Sequence, residues 1–83
     1  MSIVIYSKDN CPWCDRAKSL LSEKGFLYDE VKIGRDITRE EFMEQFPQVK
    51  SVPYIMMGEL PVPGYDQLLE YLSDPVLKTP AQL

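Results

Sequence analysis

Cys11 and Cys14 are the only cysteines in the chain, and two residues separate them in the stretch YSKDNCPWCDRAKSLL. Thiols at that spacing could hold a metal, staple the fold or pass electrons. A structural zinc site takes four ligands, commonly cysteine and histidine, and this sequence has no histidine. A metal would therefore need an intermolecular site or a ligand from outside. The missing histidine also removes the usual general base and any Cys-His dyad. A staple is a poor use of this spacing: in the chain-entropy model a four-residue loop contributes roughly 2 kcal/mol, against about 4.7 for a hundred-residue loop. Redox exchange fits best. Residues three apart in the first turn of a helix have Cα atoms about 5 Å apart, within disulfide range. The pair can then open and close without unfolding anything. Cys11 would sit at the helix N-terminus, where free N–H groups and the dipole favour a thiolate, and such cysteines have pKa values from about 3.5 to 7.5. Lys8, three residues upstream, adds positive charge. Cys14 lies one turn inside on the apolar face, so Cys11 reads as the attacker and Cys14 as the resolver.

The elements that must position this pair follow from the pattern around it. Residues 2–6, SIVIY, form a short β-branched run that reads as a buried parallel strand. Pro12 suits the first position of a helix whose apolar face is Cys14, Ala17, Leu20 and Leu21, and Lys24-Gly25 provides its stop. Residues 26–33, FLYDEVKI, read as a strand with Leu27, Val31 and Ile33 on one face. Thr38 and Glu41 form a capping box, flanked by Ile37 and Phe42 as a hydrophobic staple. The helix they open turns Phe42, Met43 and Phe46 inward and stops before Pro47. YIMM, residues 54–57, reads as a strand with Met56 and Met57 in the core. Gly58-Glu59 turns it into LPV. Tyr65, Leu68, Leu69 and Leu72 then mark a last amphipathic helix. The predicted order is β-α-β-α-β-β-α. The tail, residues 74–83 with Pro75 and Pro80, lacks periodicity and is expected to be mobile.

The bulk numbers set bounds. A chain of 83 residues argues for a single domain, residues 1–83 with a core of about 2–73. No apolar run nears the roughly 20 residues that span a bilayer. The first ten residues lack the basic flank and long apolar segment of a signal peptide, so a cytoplasmic location is expected. The formal net charge is −4 with no basic block, which argues against a nucleic-acid partner.

Three separated segments, KDNCPWC, SVP and PGYD, together with the element order, resemble the small dithiol glutaredoxins of the thioredoxin-fold superfamily over nearly the whole chain. Trp13 stands where that family usually has tyrosine, Ser51 where it has threonine, and Pro63 where it has the first of two glycines. The resemblance implies an α/β fold with a central four-stranded mixed sheet flanked by helices. It implies a glutathione-dependent thiol–disulfide oxidoreductase that reduces protein disulfides and glutathionyl mixed disulfides through a redox-active Cys11/Cys14 pair. Pro53 would be cis and face Cys11, and the Ser51-Val52 backbone would receive glutathione like an added strand. Gly64 and Tyr65 would offer helix N–H groups to the γ-glutamyl carboxylate. Asp66 would meet the ammonium group, Lys8 the glycine carboxylate, and Trp13 would shape the surface beside Cys11. Glutathione would be a co-substrate, with no tightly bound cofactor and no metal. The expected partners are glutathione and disulfide-bearing or glutathionylated proteins, with ribonucleotide reductase a family-level target of a monomer working without a membrane. Two other functions fit the same motif: a glutaredoxin-like protein reduced by thioredoxin reductase, and a dimer holding an iron–sulfur cluster on Cys11 and glutathione. Pro12 argues against the cluster carrier.

Overall fold

Alternation along residues 3–7 sends Ile3, Ile5 and Ser7 to a buried face and leaves Val4 and Tyr6 half-buried on the other. The structure, a computed structural model, describes residues 2–73. Its elements are β1 (Ile3–Ser7), α1 (Pro12–Glu23), β2 (Asp29–Lys32), α2 (Arg39–Gln45), β3 (Tyr54–Met57), β4 (Leu60–Pro63) and α3 (Tyr65–Ser73). The order is the β-α-β-α-β-β-α read from the sequence. One mixed sheet carries the strands in the order β2-β1-β3-β4. β1 pairs parallel with β2, which needs a crossover, and α1 is that crossover. β3 pairs antiparallel with β1 and with β4, joined to the latter by the Gly58-Glu59 turn. Pro61 and Pro63 lie on the outer strand β4, where a missing N–H removes a donor that could recruit another sheet.

Each face of the sheet has its own packing. Ile3, Ile5, Ile55, Met57 and Val62 meet Ala17, Leu20 and Leu21 of α1 and Leu68 of α3 in the main core. All four residues read as the apolar face of α1 are buried. On the opposite face the rings of Tyr6, Tyr54, Phe42 and Phe46 form a cluster with centroid separations from 5.0 to 6.4 Å. That cluster holds α2 against the sheet. The capping box at Thr38 is present: the Glu41 N–H donates to Thr38 Oγ1 at 3.0 Å and the Thr38 N–H donates to Glu41 Oε1 at 2.7 Å.

Three apolar residues depart from the sequence reading. Leu27 is 92% exposed because pairing with β1 begins only at Asp29, while its neighbours Phe26 and Tyr28 pack on the core. Met43 is half-exposed, since a helix of seven residues offers a narrow stripe that Phe42 and Phe46 fill. Leu69 is partly exposed at the edge of the stripe set by Tyr65, Leu68 and Leu72. Met57 is buried as expected and Met56 is half-buried. The expectation for the tail at 74–83 lies outside the described residues.

Candidate functional site

β1 delivers the chain to a short loop that ends in a left-handed residue, Asn10 (φ 55°), and then to Cys11. Asparagine tolerates that region better than most residues. Cys11 is the N-cap of α1, and its carbonyl accepts from the N–H groups of Cys14 (3.0 Å) and Asp15 (3.1 Å). Its side chain does what a serine or aspartate cap would do: Sγ accepts from the Cys14 N–H at 3.2 Å. Pro12 follows at the first helical position, where no N–H is needed. The two sulfurs are bonded, with Cα atoms 5.2 Å apart. Cys14 is 1% exposed and Cys11 8%. Cys11 is thus more covered than its place at a helix end suggests, though it remains the more open of the two.

A second loop supplies part of that cover. The Val52–Pro53 peptide bond is cis, as the resemblance implied, and the Val52 carbonyl oxygen lies 3.9 Å from Cys11 Sγ. Ser51, Val52 and Pro53 from this loop, Gly64, Tyr65 and Asp66 from the start of α3, and Trp13 from α1 line one cleft of about 210 Å3. Seven of the eight residues read as glutathione contacts therefore come together beside the disulfide. Gly64 has a φ of +98°, a conformation that a side chain would strain, and its carbonyl accepts the first intrahelical bond from Leu68. The N–H groups of the first turn of α3, where Asp66 lies, have no intrahelical acceptor. Lys8, the eighth residue, lies outside the cleft. It lines an adjacent cavity of about 510 Å3 that shares Ser51 and Val52.

Sequence reasoning missed several neighbours. Arg39 and Lys50 line the same cavity as Lys8. They are far apart in sequence, and only the fold brings them together; the one available signal was Lys50 preceding Ser51. Trp13 is half-exposed, with its ring centroid 5.5 Å from that of Tyr65 and 4.8 Å from the Arg16 guanidinium carbon. The second distance is within cation–π range, and the i, i+3 spacing of Trp13 and Arg16 was legible as a helix-face pair. Below the motif, the fully buried Ser7 donates from Oγ to Glu30 Oε2 at 2.6 Å, and Lys18 Nζ lies 2.9 Å from the same oxygen. The Ser7 hydroxyl first, and then Lys18, hold the Glu30 carboxyl below its ordinary pKa against the opposing effect of burial. This triad ties the ends of β1 and β2 to α1. A larger cavity, about 670 Å3, is lined by Asp15, Lys18 and Glu30, which already pair with one another.

Among the described residues no cluster of three or more Cys, Asp or Glu side chains could hold a metal ion, and no helix is long and apolar enough to cross a membrane. What the site offers is a bonded thiol pair at a helix N-terminus beside a cleft. That arrangement suits thiol–disulfide exchange.

Comparison with known proteins agrees with the geometry. The glutaredoxin family model matches residues 3–61. Glutaredoxin 3 of Escherichia coli is 35% identical over 81 residues, covering 93% of this chain and 98% of that protein. The solution structure of a glutaredoxin from Brucella melitensis superposes with a TM-score of 0.73 at 30% identity, covering 95% of this chain and 86% of the other. A buckwheat glutaredoxin–glutathione complex superposes with a TM-score of 0.71 at 25% identity, covering 87% of this chain and 68% of the other. With the family matched over most of its length and the sulfur pair in position, this chain belongs to the glutaredoxin family of thiol–disulfide oxidoreductases.

Proposed function

We propose that the chain reduces protein disulfides and glutathionyl mixed disulfides at the expense of glutathione. In the reduced protein the Cys11 thiolate attacks a substrate sulfur, forms a mixed disulfide and releases a thiolate that takes up a proton. With a protein disulfide, Cys14 then attacks Cys11 Sγ, closes the Cys11–Cys14 bond and frees the second substrate thiol. One glutathione thiolate reopens that bond and leaves glutathione on Cys11. A second displaces it as glutathione disulfide. Two electrons have moved from two glutathione molecules to the substrate. NADPH and glutathione reductase restore the pool.

The residues of the cleft, and Lys8 from the cavity beside it, have matching tasks. Ser51 and Val52 receive the tripeptide backbone in the manner of an added strand. The free N–H groups at Gly64 and Tyr65 take the γ-glutamyl carboxylate. Asp66 meets the ammonium group and Lys8 the glycine carboxylate. Trp13 walls the cleft beside the sulfur. The single observation that supports this reading most is the cleft that gathers Trp13, Ser51, Val52, Pro53, Gly64, Tyr65 and Asp66 next to a cysteine whose sulfur accepts a backbone N–H. The glutathione complex of the buckwheat relative supports the ligand class. In this reading the chain works as a single-domain monomer in the cytoplasm, and a disulfide-bonded protein such as ribonucleotide reductase receives the electrons.

The test compares two mixed disulfides of one peptide, one with glutathione and one with free cysteine, as substrates of the Cys14→Ser variant. Recognition of the glutathione moiety is expected to favour the first by about tenfold or more, equivalent to about 1.4 kcal/mol. Equal rates would defeat the reading.

A further inference from the structure

We propose that Arg16 is a positioning residue: its guanidinium holds the Trp13 indole in place as a wall of the cleft and so sets how tightly the glutathionyl group of a mixed disulfide is received. The inference rests on exchange at Cys11 with a glutathionyl substrate as read above.

Arg16 has no carboxylate to meet on its own helix face. The positions three and four away from it are Pro12, Trp13, Ser19 and Leu20, and side chains on a helix interact mainly at those spacings. Its neighbour Asp15 lies 3.5 Å from Lys18. The chain has thirteen acidic residues against nine basic ones, yet this arginine forms no ion pair among the described residues. Its guanidinium carbon lies 4.8 Å from the Trp13 ring centroid instead. A planar guanidinium stacks on an aromatic face, which the compact ammonium of a lysine cannot do in the same way.

The indole needs that restraint. Trp13 is half-exposed and lies outside the main core. Tyr65 packs against the core, and its ring centroid is 5.5 Å from that of Trp13 with the planes tilted by 43°. A tilted contact with one fixed ring leaves the indole free to swing about its two side-chain torsions. The guanidinium over its face is the second point of contact.

The place of the indole matters because the two rings form a partition. Trp13 and Tyr65 line the cleft of about 210 Å3 beside the disulfide. Arg16 and Tyr65 line a different cavity, about 260 Å3, together with Leu20. Arg16 is not among the residues that line the cleft; it stands behind the wall and reaches a bound glutathionyl group through the indole. When the indole swings away, the cleft loses that side. The apparent affinity then falls with the fraction of chains whose wall is in place. A cation–aromatic contact at an exposed site corresponds to about two- to fivefold in such an equilibrium.

The experiment uses the single tryptophan of the chain as its reporter. Arg16→Gln keeps a long polar side chain without the charge, and Arg16→Lys keeps the charge without the plane. In the reduced, substrate-free chain, acrylamide is expected to quench Trp13 fluorescence more strongly in Arg16→Gln than in the unaltered protein, with Arg16→Lys between them. In the Cys14→Ser background, Arg16→Gln should raise the KM for a glutathionylated peptide by about two- to fivefold with little change in kcat. Arg16→Lys should recover part of that loss. When Trp13→Leu has already removed the wall, Arg16→Gln should change the KM no further. Unchanged quenching or an unchanged KM in Arg16→Gln would overturn the proposal. An equal rise in KM with and without Trp13 would overturn it as well, because Arg16 would then act on the substrate directly. Failure of the glutathione reading shows with Arg16 intact, as equal rates for the glutathione and cysteine mixed disulfides; failure of this inference leaves that preference in place and shows only in the Arg16 variants.

Discussion

The backbone N–H of Cys14 donates to Cys11 Sγ across 3.2 Å, so the helix that carries the second thiol also solvates the sulfur of the first. Any negative charge that develops on Cys11 meets a donor already in place and the positive end of the α1 dipole. Cys14, three residues further along α1, is more deeply covered, at 1% exposed against 8% for Cys11.

That asymmetry separates the two thiols in the reduced protein. Iodoacetamide at pH 6 is expected to label Cys11 at least about ten times faster than Cys14, because only a thiol favoured as thiolate reacts at that pH. Cys11→Ser should abolish all exchange. Cys14→Ser should retain reduction of glutathionylated substrates, which needs one thiol. Faster labelling of Cys14, read by peptide mass mapping, would reverse the assignment.

Glu30 makes stability depend on acid. Its carboxyl is held below the ordinary value of 4.5, first by the Ser7 hydroxyl and then by Lys18. A folded pKa below the unfolded one gives a contribution that is complete above the unfolded value and lost as pH falls through the folded value. Glu30→Gln is expected to lower stability by about 1–3 kcal/mol at neutral pH. In urea titrations the gap between the variant and the unaltered protein should shrink as pH drops from about 6 to about 3. A gap independent of pH would show that the charge of Glu30 contributes nothing.

The start of α3 is tested by charge reversal. Asp66→Lys should raise the KM for glutathione or its mixed disulfides by an amount equivalent to about 1–3 kcal/mol, scaled from charge-assisted hydrogen bonds. The rate of oxidation of the reduced dithiol by a small neutral disulfide reports whether the sulfur chemistry itself has survived. Pro63→Gly, which restores the family's turn, should lower that KM or leave it unchanged. An unaltered KM in folded Asp66→Lys would reduce Asp66 to a helix-dipole residue.

The two apolar faces distinguish core from surface. Leu68→Ala, at a fully buried site in the main core, should cost about 2–5 kcal/mol. Met43→Ala, half-exposed on α2, should stay within about 0.5 kcal/mol of the unaltered protein. Comparable losses at both sites would mean that Met43 is packed.

What was legible in the sequence was whatever local chemistry decides. The Thr38/Glu41 box, Pro12 and the α1 stripe of Cys14, Ala17, Leu20 and Leu21 are short-range signals, and each takes its expected form. Leu27, Met43 and Leu69 misled because exposure depends on where pairing starts and how wide a helix stripe is, which hydrophobicity alone does not reveal. The cleft was legible only through the resemblance, since its residues come from three segments up to 53 positions apart between Trp13 and Asp66. Arg39 was not legible, and Lys50 only as the residue before Ser51: their meeting with Lys8 is a product of α2 folding over the aromatic face of the sheet.

The central claim is that glutathione is the reductant for the Cys11/Cys14 pair. NADPH oxidation with a small disulfide substrate, followed in parallel with glutathione plus glutathione reductase and with thioredoxin reductase alone, measures it directly. Turnover is expected in the first arm, saturating in glutathione and absent in Cys11→Ser, with little in the second. Turnover confined to the thioredoxin reductase arm would contradict the claim.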